Sequence, residues 1–306
     1  MKLAAIDIGS NAARLLITDV YLDKQNKPEF IKSNLVRVPL RLGFDVFETG
    51  EISQGKINHL VSTIKAYKHL LDAYDIKHVK ACATSAMRDA KNSDQIIKIV
   101  AHETGIQINI ISGDSEASLI YSTHTTDAFA KDYAYLYIDV GGGSTELTFF
   151  INGEMIFKRS FNTGTIRILK QQITDDYWAE MKDFIRTNTK SAKKIMAIGS
   201  GGNINKVFSL SKRKEGRPLT LELLKDYYKE FSSISLTERM SIYKLREDRA
   251  DVIVPALLIY INVMKWAGAD EILVPKIGLV DGLIHSLYDE VVKNALKGEL
   301  GFIKQP

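Results

Sequence analysis

Cysteine is all but missing from this chain: Cys82 is its one thiol among 306 residues. No intrachain disulfide can form, and a structural zinc site built on cysteines is excluded, so a reducing, cytoplasmic setting is expected. The 6 histidines are scattered, none is followed by Asp, and no H-E-x-x-H motif occurs, which argues against zinc-hydrolase chemistry. Long apolar runs are missing too. The longest uncharged one, residues 252–264, contains Pro255 and falls short of the roughly twenty residues a membrane span needs, so it predicts a buried helix. An acid at position 7 precedes any apolar export region, and no export signal or membrane partner is expected. No Pro-rich or Gly/Ser-rich linker divides the chain, and no G-x-x-x-x-G-K-[ST] loop is present.

What is present is ordinary globular composition, 45 % hydrophobic and 25 % charged, long enough for two cores. A net charge of +4 mildly favours a polyanionic partner without pointing to a specific nucleic acid.

The organisation lies in a repeat. Residues 3–8 form an apolar run that ends in Asp7 and Gly9, and residues 14–20 resume as a second apolar strand. The same grammar returns over residues 135–151, where Asp139 leads into Gly141, Gly142, Gly143 and Ser144. Asp7 stands as far before Leu15 as Asp139 stands before Leu147, which implies duplication of one hairpin-led α/β unit. After the first hairpin the pattern predicts a polar loop over 23–32, strands over 35–42, 78–84 and 106–111, and helices over 54–74, 93–104 and 116–130. The second half predicts strands over 154–160 and 194–198 and helices over 219–231, 236–243, 250–266 and 279–296. The expected domains are 1–123 and 124–306, hinged inside the helix near 121–130, with a cleft between them; a carboxy-terminal helix at about 287–306 is expected to pack back on the first.

Glycine turns let backbone N–H groups approach a phosphate closely, so Gly9, Ser10 and Asn11, and Gly141 to Ser144, are candidate phosphate cradles. Each follows an acid at a strand end, where a hard cation bridging phosphate oxygens can be held. Taken singly, either turn reads equally as a plain hairpin; the duplication favours the cradle. Each turn opens into a strand and not a helix, unlike a dinucleotide fingerprint. A third cluster, Gly199-Ser200-Gly201-Gly202, is either a further cradle or a helix entry loop before Lys206. Glu116 falls in the first turn of a helix, where it either complements the dipole behind an Asp114 or Ser115 cap, or accepts a proton from water. Arg88 either clamps phosphate or pairs with Asp89 or Asp94. Lys206, Lys212, Arg213, Lys214 and Arg217 either guide an extended polyanion or form a solvated loop.

The segments Asp7-Ile-Gly-Ser-Asn11, Arg41-Leu-Gly43, the run from Ala83 to Ala90, Ile111-Ser-Gly113 with Glu116-Ala117, the run from Asp139 to Glu146, Gly199-Ser-Gly201 and Arg249-Ala-Asp251 stand in one order. In that order they resemble the exopolyphosphatase and guanosine pentaphosphatase family of the sugar kinase, Hsp70 and actin superfamily. The resemblance implies an α/β fold of two duplicated actin-like (ribonuclease H-like) domains around a central cleft. It implies hydrolysis of a terminal phosphoanhydride in polyphosphate or, alternatively, guanosine pentaphosphate. Glu116 takes the position of the catalytic base and Glu146 a second catalytic position. Asp7, Asp139 and Glu146 are expected to hold Mg²⁺ or Mn²⁺, while Gly9, Ser10, Asn11, Arg88, Gly141, Gly142, Gly143, Ser144, Ser200 and Gly201 hold phosphate. A homodimer is compatible with the pattern. Two departures stand out: Ser115 where the family commonly has a second glutamate, and Val280-Asp281 where it commonly has Arg-Glu. No His-Asp pair of the longer relatives' extra domain is seen, so the chain resembles the short form. An actin-like kinase or ATPase and a non-catalytic phosphate sensor are the rival readings.

Overall fold

The computed structural model describes residues 1–121 and 133–302. Its first half runs β1 (Lys2–Ile8), β2 (Ala12–Leu22), β3 (Pro28–Pro39), α1 (Leu42–Thr49), α2 (Gln54–Ala73), β4 (His78–Ala83), α3 (Ser85–Asp89), α4 (Ser93–Thr104), β5 (Ile108–Ile110) and α5 (Gly113–Tyr121). The second half runs β6 (Ala134–Val140), β7 (Thr145–Ile151), β8 (Glu154–Phe161), α6 (Thr165–Leu169), α7 (Asp175–Thr189), β9 (Ile195–Ser200), α8 (Gly202–Leu210), β10 (Leu219–Thr220), α9 (Leu221–Ser233), α10 (Leu236–Tyr243), α11 (Glu247–Ala250), α12 (Ile253–Ala267), β11 (Ala269–Leu273) and α13 (Leu279–Phe302).

The duplication is visible strand by strand. One sheet has the order β3-β2-β1-β4-β5; the other reads β8-β7-β6-β9-β11 with β10 added at its edge. In each, an antiparallel three-stranded meander continues into parallel strands. This is the actin-like (ribonuclease H-like) α/β fold, twice. The central strands are buried on both faces because helices cover both sides, which is why β1 is apolar almost throughout instead of alternating.

One face of the first sheet packs on α2 and α4 through Ile57, Leu60, Ile64, Ile96 and Val100. Its other face is covered by α13, whose Leu279, Val280, Leu283, Ile284 and Leu287 recur at helical spacing against Leu3, Ala5, Leu16 and Cys82. The carboxy-terminal helix thus joins the first half from Leu279 onward, earlier than the 287 expected. Val280 is part of that core and also borders the cleft.

Several elements differ from expectation. The polar stretch 23–32 is loop only as far as residue 27: from Pro28 it is β3, which pairs with β2 back to Leu22↔Pro28 and as an edge strand tolerates polar side chains facing water. Leu42 begins α1 instead of ending a strand. Helix α7 was missed although Thr174 Oγ1 caps it by accepting from the Tyr177 N–H and Asp175 and Asp176 complement its dipole. The apolar run 252–264 is α12, a core helix; the stretch Glu247–Ala267, the one among the described residues long and apolar enough to cross a membrane, is 67 % buried. The expected hinge at 121–130 lies, apart from Tyr121, outside the described residues.

The start of α6 packs tightly on the second glycine turn and reaches the first half through Ile166. Thr165 and Ile166 of α6 donate backbone N–H to the Gly141 and Gly142 carbonyls, at 3.1 and 2.8 Å, and Ile166 enters the first half's core. A Cβ on Gly164 stands only 2.3 Å from the Gly142 oxygen and 2.4 Å from the Gly143 carbonyl carbon. Backbone cannot yield as a side chain does, so Gly164→Ala is expected to cost about 1–3 kcal/mol of stability. Denaturant titration of both proteins checks this; an unchanged midpoint contradicts it.

Candidate active site

The two Asp-Gly hairpins face each other across a cleft of about 480 Å³. Each is closed by the same contact, Gly9 N–H to Ala12 O at 3.0 Å and Gly141 N–H to Ser144 O at 2.9 Å. Gly142 allows close approach of the second turn to the first: a Cβ there stands 2.9 Å from Ser10 Cβ. Ser10 Oγ lies 2.8 Å from Ser85 Oγ and accepts from the Ala86 N–H at 3.1 Å, while Asn11 Nδ2 donates to Asp248 O at 2.9 Å. Gly9, Ser10, Asn11, Gly141, Gly142, Ser144 and Gly201 line the cleft; Gly143 lies against Phe47 and Ser85, and Ser200 is buried beside Asp139. Gly201 has a φ of 107°, which favours glycine before α8.

The antiparallel register makes the halves equivalent residue by residue. Asp7 pairs across its hairpin with Arg14, and Asp139 with Glu146. One copy therefore carries acid and base, the other two acids. In the first, Arg14 Nη1 donates to Asp7 Oδ2 at 2.7 Å. In the second, Asp139 and Glu146 join Glu116, with one carboxylate oxygen from each lying within 4.8 Å of the others. Asp7 stands outside that group of three, engaged by Arg14.

Glu116 arrives from α5. Ser112 Oγ accepts from the Ser115 N–H at 3.1 Å, so Ser112 caps this helix and not Asp114 or Ser115. The helix begins hard against β8, where a Gly113 Cβ falls 2.4 Å from Ser160 Cβ, and Ser160 Oγ donates to Glu146 Oε1 at 2.8 Å. Arg88 reaches Ile111 O at 3.0 Å through Nη1, steadying the chain that leads into α5. Its charge favours the ionised forms of Glu116 and Glu146, although it does not line the cleft itself.

Burial and mutual repulsion set the electrostatics. Burial, then the charges of Glu146, Asp139 and Asp7, push Glu116 well above the usual carboxylate range. Burial and Asp139 raise Glu146 to about 7, against help from Ser144, Ser160 and Arg88. Asp139 and Asp7 are raised by burial, partly offset by Ser200 and Arg14 respectively. Glu116 Oε2 and Glu146 Oε2 are buried with no hydrogen-bond partner. Converging hard oxygens with unused lone pairs suit a divalent cation, which removes the repulsion and fills them. The residues present fit such an ion.

The same cleft carries a cationic group, of which the sequence pointed only to Arg249, in the segment Arg249-Ala-Asp251. Arg14, Arg37 and Arg249 all line the cleft. Arg249 is pulled down to about 10 by burial and by the charges of Arg37 and Arg14. Arg37 Nη1 stands 2.5 Å from Asp248 Oδ2 as an ion pair, without the alignment of a hydrogen bond, and Arg249 Nη1 donates to Gly202 O. Carboxylates and arginines lining one cleft suit a cation-bound anion with several charges.

A family model described as the Ppx/GppA phosphatase family matches residues 23–291. The chain belongs to that family. Among relatives, exopolyphosphatase 1 of Mycobacterium leprae is 24 % identical, with 93 % of this chain and 88 % of that protein aligned. A bifunctional 3-dehydroquinate synthase/phosphatase of Fusobacterium nucleatum is 30 % identical over 89 % of this chain, which spans 44 % of that protein's length. The crystal structure of the Aquifex aeolicus Ppx/GppA family member superposes with a TM-score of 0.71 at 25 % identity, covering 96 % of this chain and 98 % of that one. An exopolyphosphatase from Cytophaga hutchinsonii shares the fold with a TM-score of 0.79 at 23 % identity, covering 95 % and 98 %.

In this Ppx/GppA chain the raised carboxyls link metal to stability. Glu146 titrates at about 7 when folded against an ordinary 4.5, so the folded chain holds a proton that the unfolded chain has released. That contribution is complete below about pH 4.5 and is lost as pH rises through 7; Glu116 acts in the same direction. Chelator-treated protein is therefore expected to melt at lower temperature at pH 8 than at pH 5. A divalent cation should raise the melting point more at pH 8, because it competes with protons for the same oxygens. Melts in chelator and in excess Mg²⁺ across this range check it, and a pH-independent metal effect contradicts it.

Proposed function

We propose that this chain is a divalent-metal-dependent exopolyphosphatase that releases orthophosphate from the end of inorganic polyphosphate. The observation that carries the reading is the carboxylate group Glu116, Asp139 and Glu146 at the junction of the two glycine turns, with two buried oxygens unpartnered. The exopolyphosphatase names of relatives aligned along most of the chain support the substrate.

In this mechanism Asp139 and Glu146 would hold the cation, which would supply positive charge to the phosphate oxygens and the departing chain end. The turns at Gly9–Asn11 and Gly141–Ser144 offer backbone N–H groups to the terminal phosphate, while Arg14, Arg37 and Arg249 face the next ones. Glu116, buried and ionised once a cation offsets its neighbours, accepts a proton from water as the water oxygen bonds to the terminal phosphorus. The phosphoanhydride P–O bond breaks as that bond forms. The electron pair leaves with the shortened chain, and the proton on Glu116 returns to solvent. Burial of the site keeps competing water away from the carboxylates.

Orthophosphate release from long-chain polyphosphate, guanosine pentaphosphate and ATP, measured in parallel with Mg²⁺, with Mn²⁺ and with chelator, tests the reading. Fastest release from polyphosphate, abolished by chelator, is expected. Preference for ATP contradicts it in favour of an actin-like ATPase, and no release from any substrate favours a phosphate sensor.

A further inference from the structure

Of the basic stretch singled out in the sequence, Lys206 lines the cleft while the loop at 212–214 does not. Lys212, Arg213 and Lys214 are exposed and absent from its lining, and Arg213 Nη1 turns back to Pro218 O at 2.8 Å. Two lysines isolated in the sequence join Lys206 there. Lys32 on the edge strand β3, Lys206 on α8 and Lys276 in the loop before α13 all line the cleft. They come from three separate elements, so their convergence is a property of the fold.

Their neighbours leave this charge available. Asp7, Glu116 and Asp139 belong to the site already described, which leaves Asp281 as the remaining lining acid among the described residues. Lys32 Nζ lies 2.7 Å from Asp281 Oδ1 and donates to Lys276 O at 3.3 Å, bringing β3 and the loop before α13 together. Lys276 stands 5.8 Å from the Phe208 ring and 3.6 Å from the largely exposed Glu215, an ion pair of little strength in water. Lys206 has no carboxylate within ion-pair distance among the described residues. Against the one remaining lining acid, Asp281, the cleft thus holds three lysines, two in excess, beyond the arginines.

The shape of the charge matters as much as its sign. Lysine ammonium groups are mobile point charges that accept a phosphate from many directions, suited to a chain of identical phosphates. Recognition of a nucleobase uses flat aromatic faces, and no aromatic side chain stands among the described residues lining the cleft.

On the basis of the hydrolase reading above, we infer that Lys32, Lys206 and Lys276 form a track for the phosphates behind the one being removed, selecting a base-free phosphate chain over a nucleoside polyphosphate. Asp281 tempers the track by holding Lys32, while its other oxygen accepts from the Gly278 N–H at 2.9 Å. Two variants therefore move affinity in opposite directions. The triple change K32A/K206A/K276A should weaken long-chain binding, and Asp281→Asn, which keeps an acceptor for Gly278, should strengthen it.

The test is equilibrium binding of fluorescent long-chain polyphosphate in a Glu116→Gln background, competed by tripolyphosphate and by GTP, with KM values measured in the catalytic protein. The triple variant is expected to lose roughly tenfold or more in long-chain affinity at low salt and less than threefold for tripolyphosphate, with a shallower salt dependence. Asp281→Asn is expected to gain about threefold for the long chain, changing K212A/R213A/K214A should alter nothing, and GTP should compete no better than tripolyphosphate. Equal losses on both lengths, no loss on either, or tenfold tighter GTP binding overturns the track. If the long-chain binding difference persists while no substrate is hydrolysed, the track stands and the catalytic reading falls.

Discussion

Glu116→Gln is expected to lower turnover on polyphosphate by about 10²–10⁴-fold, the usual contribution of a general base, with little change in chain affinity. The amide keeps the shape of the side chain and its place at the start of α5, so neither the Ser112 cap nor the packing of Gly113 on Ser160 is disturbed. It cannot accept a proton. It also removes a buried acid whose ionised form is opposed by burial and by Glu146, Asp139 and Asp7, so the variant should be at least as stable as its parent in chelator. Single-turnover phosphate release separates the chemical step from binding, and thermal melts check the fold. Turnover within a few-fold of the parent, with the fold intact, removes Glu116 from the mechanism.

Asp139→Asn is expected to raise the Mg²⁺ concentration needed for half-maximal activity by an order of magnitude or more, and to lower activity when metal is limiting. Asp139 ends β6 where Ser200 of β9 lies alongside, so the amide still finds a hydrogen-bond partner and the hairpin persists. What is lost is a hard anionic oxygen from the group that lies within 4.8 Å. Activity against metal concentration, for variant and parent, is the measurement. Superimposable curves contradict the assignment of Asp139 to the cation.

The parts of this account legible in the sequence are those that a local pattern must carry. Asp7 and Asp139 each precede a glycine turn because the chain reverses between antiparallel strands at the site, so the duplication was readable before any coordinates. Glu116 was readable as a first-turn acid. Arg14 was not, because its importance comes from lying across the hairpin from Asp7, where Glu146 lies across from Asp139. Nothing in the residues around Arg14 announces that register.

Charge misled in a similar way. The dense cations at 212–217 look like a binding surface, yet sequence density does not say where side chains point, and the cleft draws its lysines singly from β3, α8 and the loop before α13. Strand β3 was half missed because an edge strand with one side in water carries polar residues that read as loop. What Val280 does is visible only in three dimensions: it packs α13 on the first sheet in one cluster with Leu3 and Leu16.

The central claim is that water, deprotonated by Glu116, attacks the terminal phosphorus directly. Hydrolysis of long-chain polyphosphate in ¹⁸O-labelled water, with mass analysis of the products after a short reaction, tests it most directly. One labelled oxygen in each released orthophosphate, and none in the shortened chain, is the predicted result. Label in the chain end, or orthophosphate released without label, contradicts it.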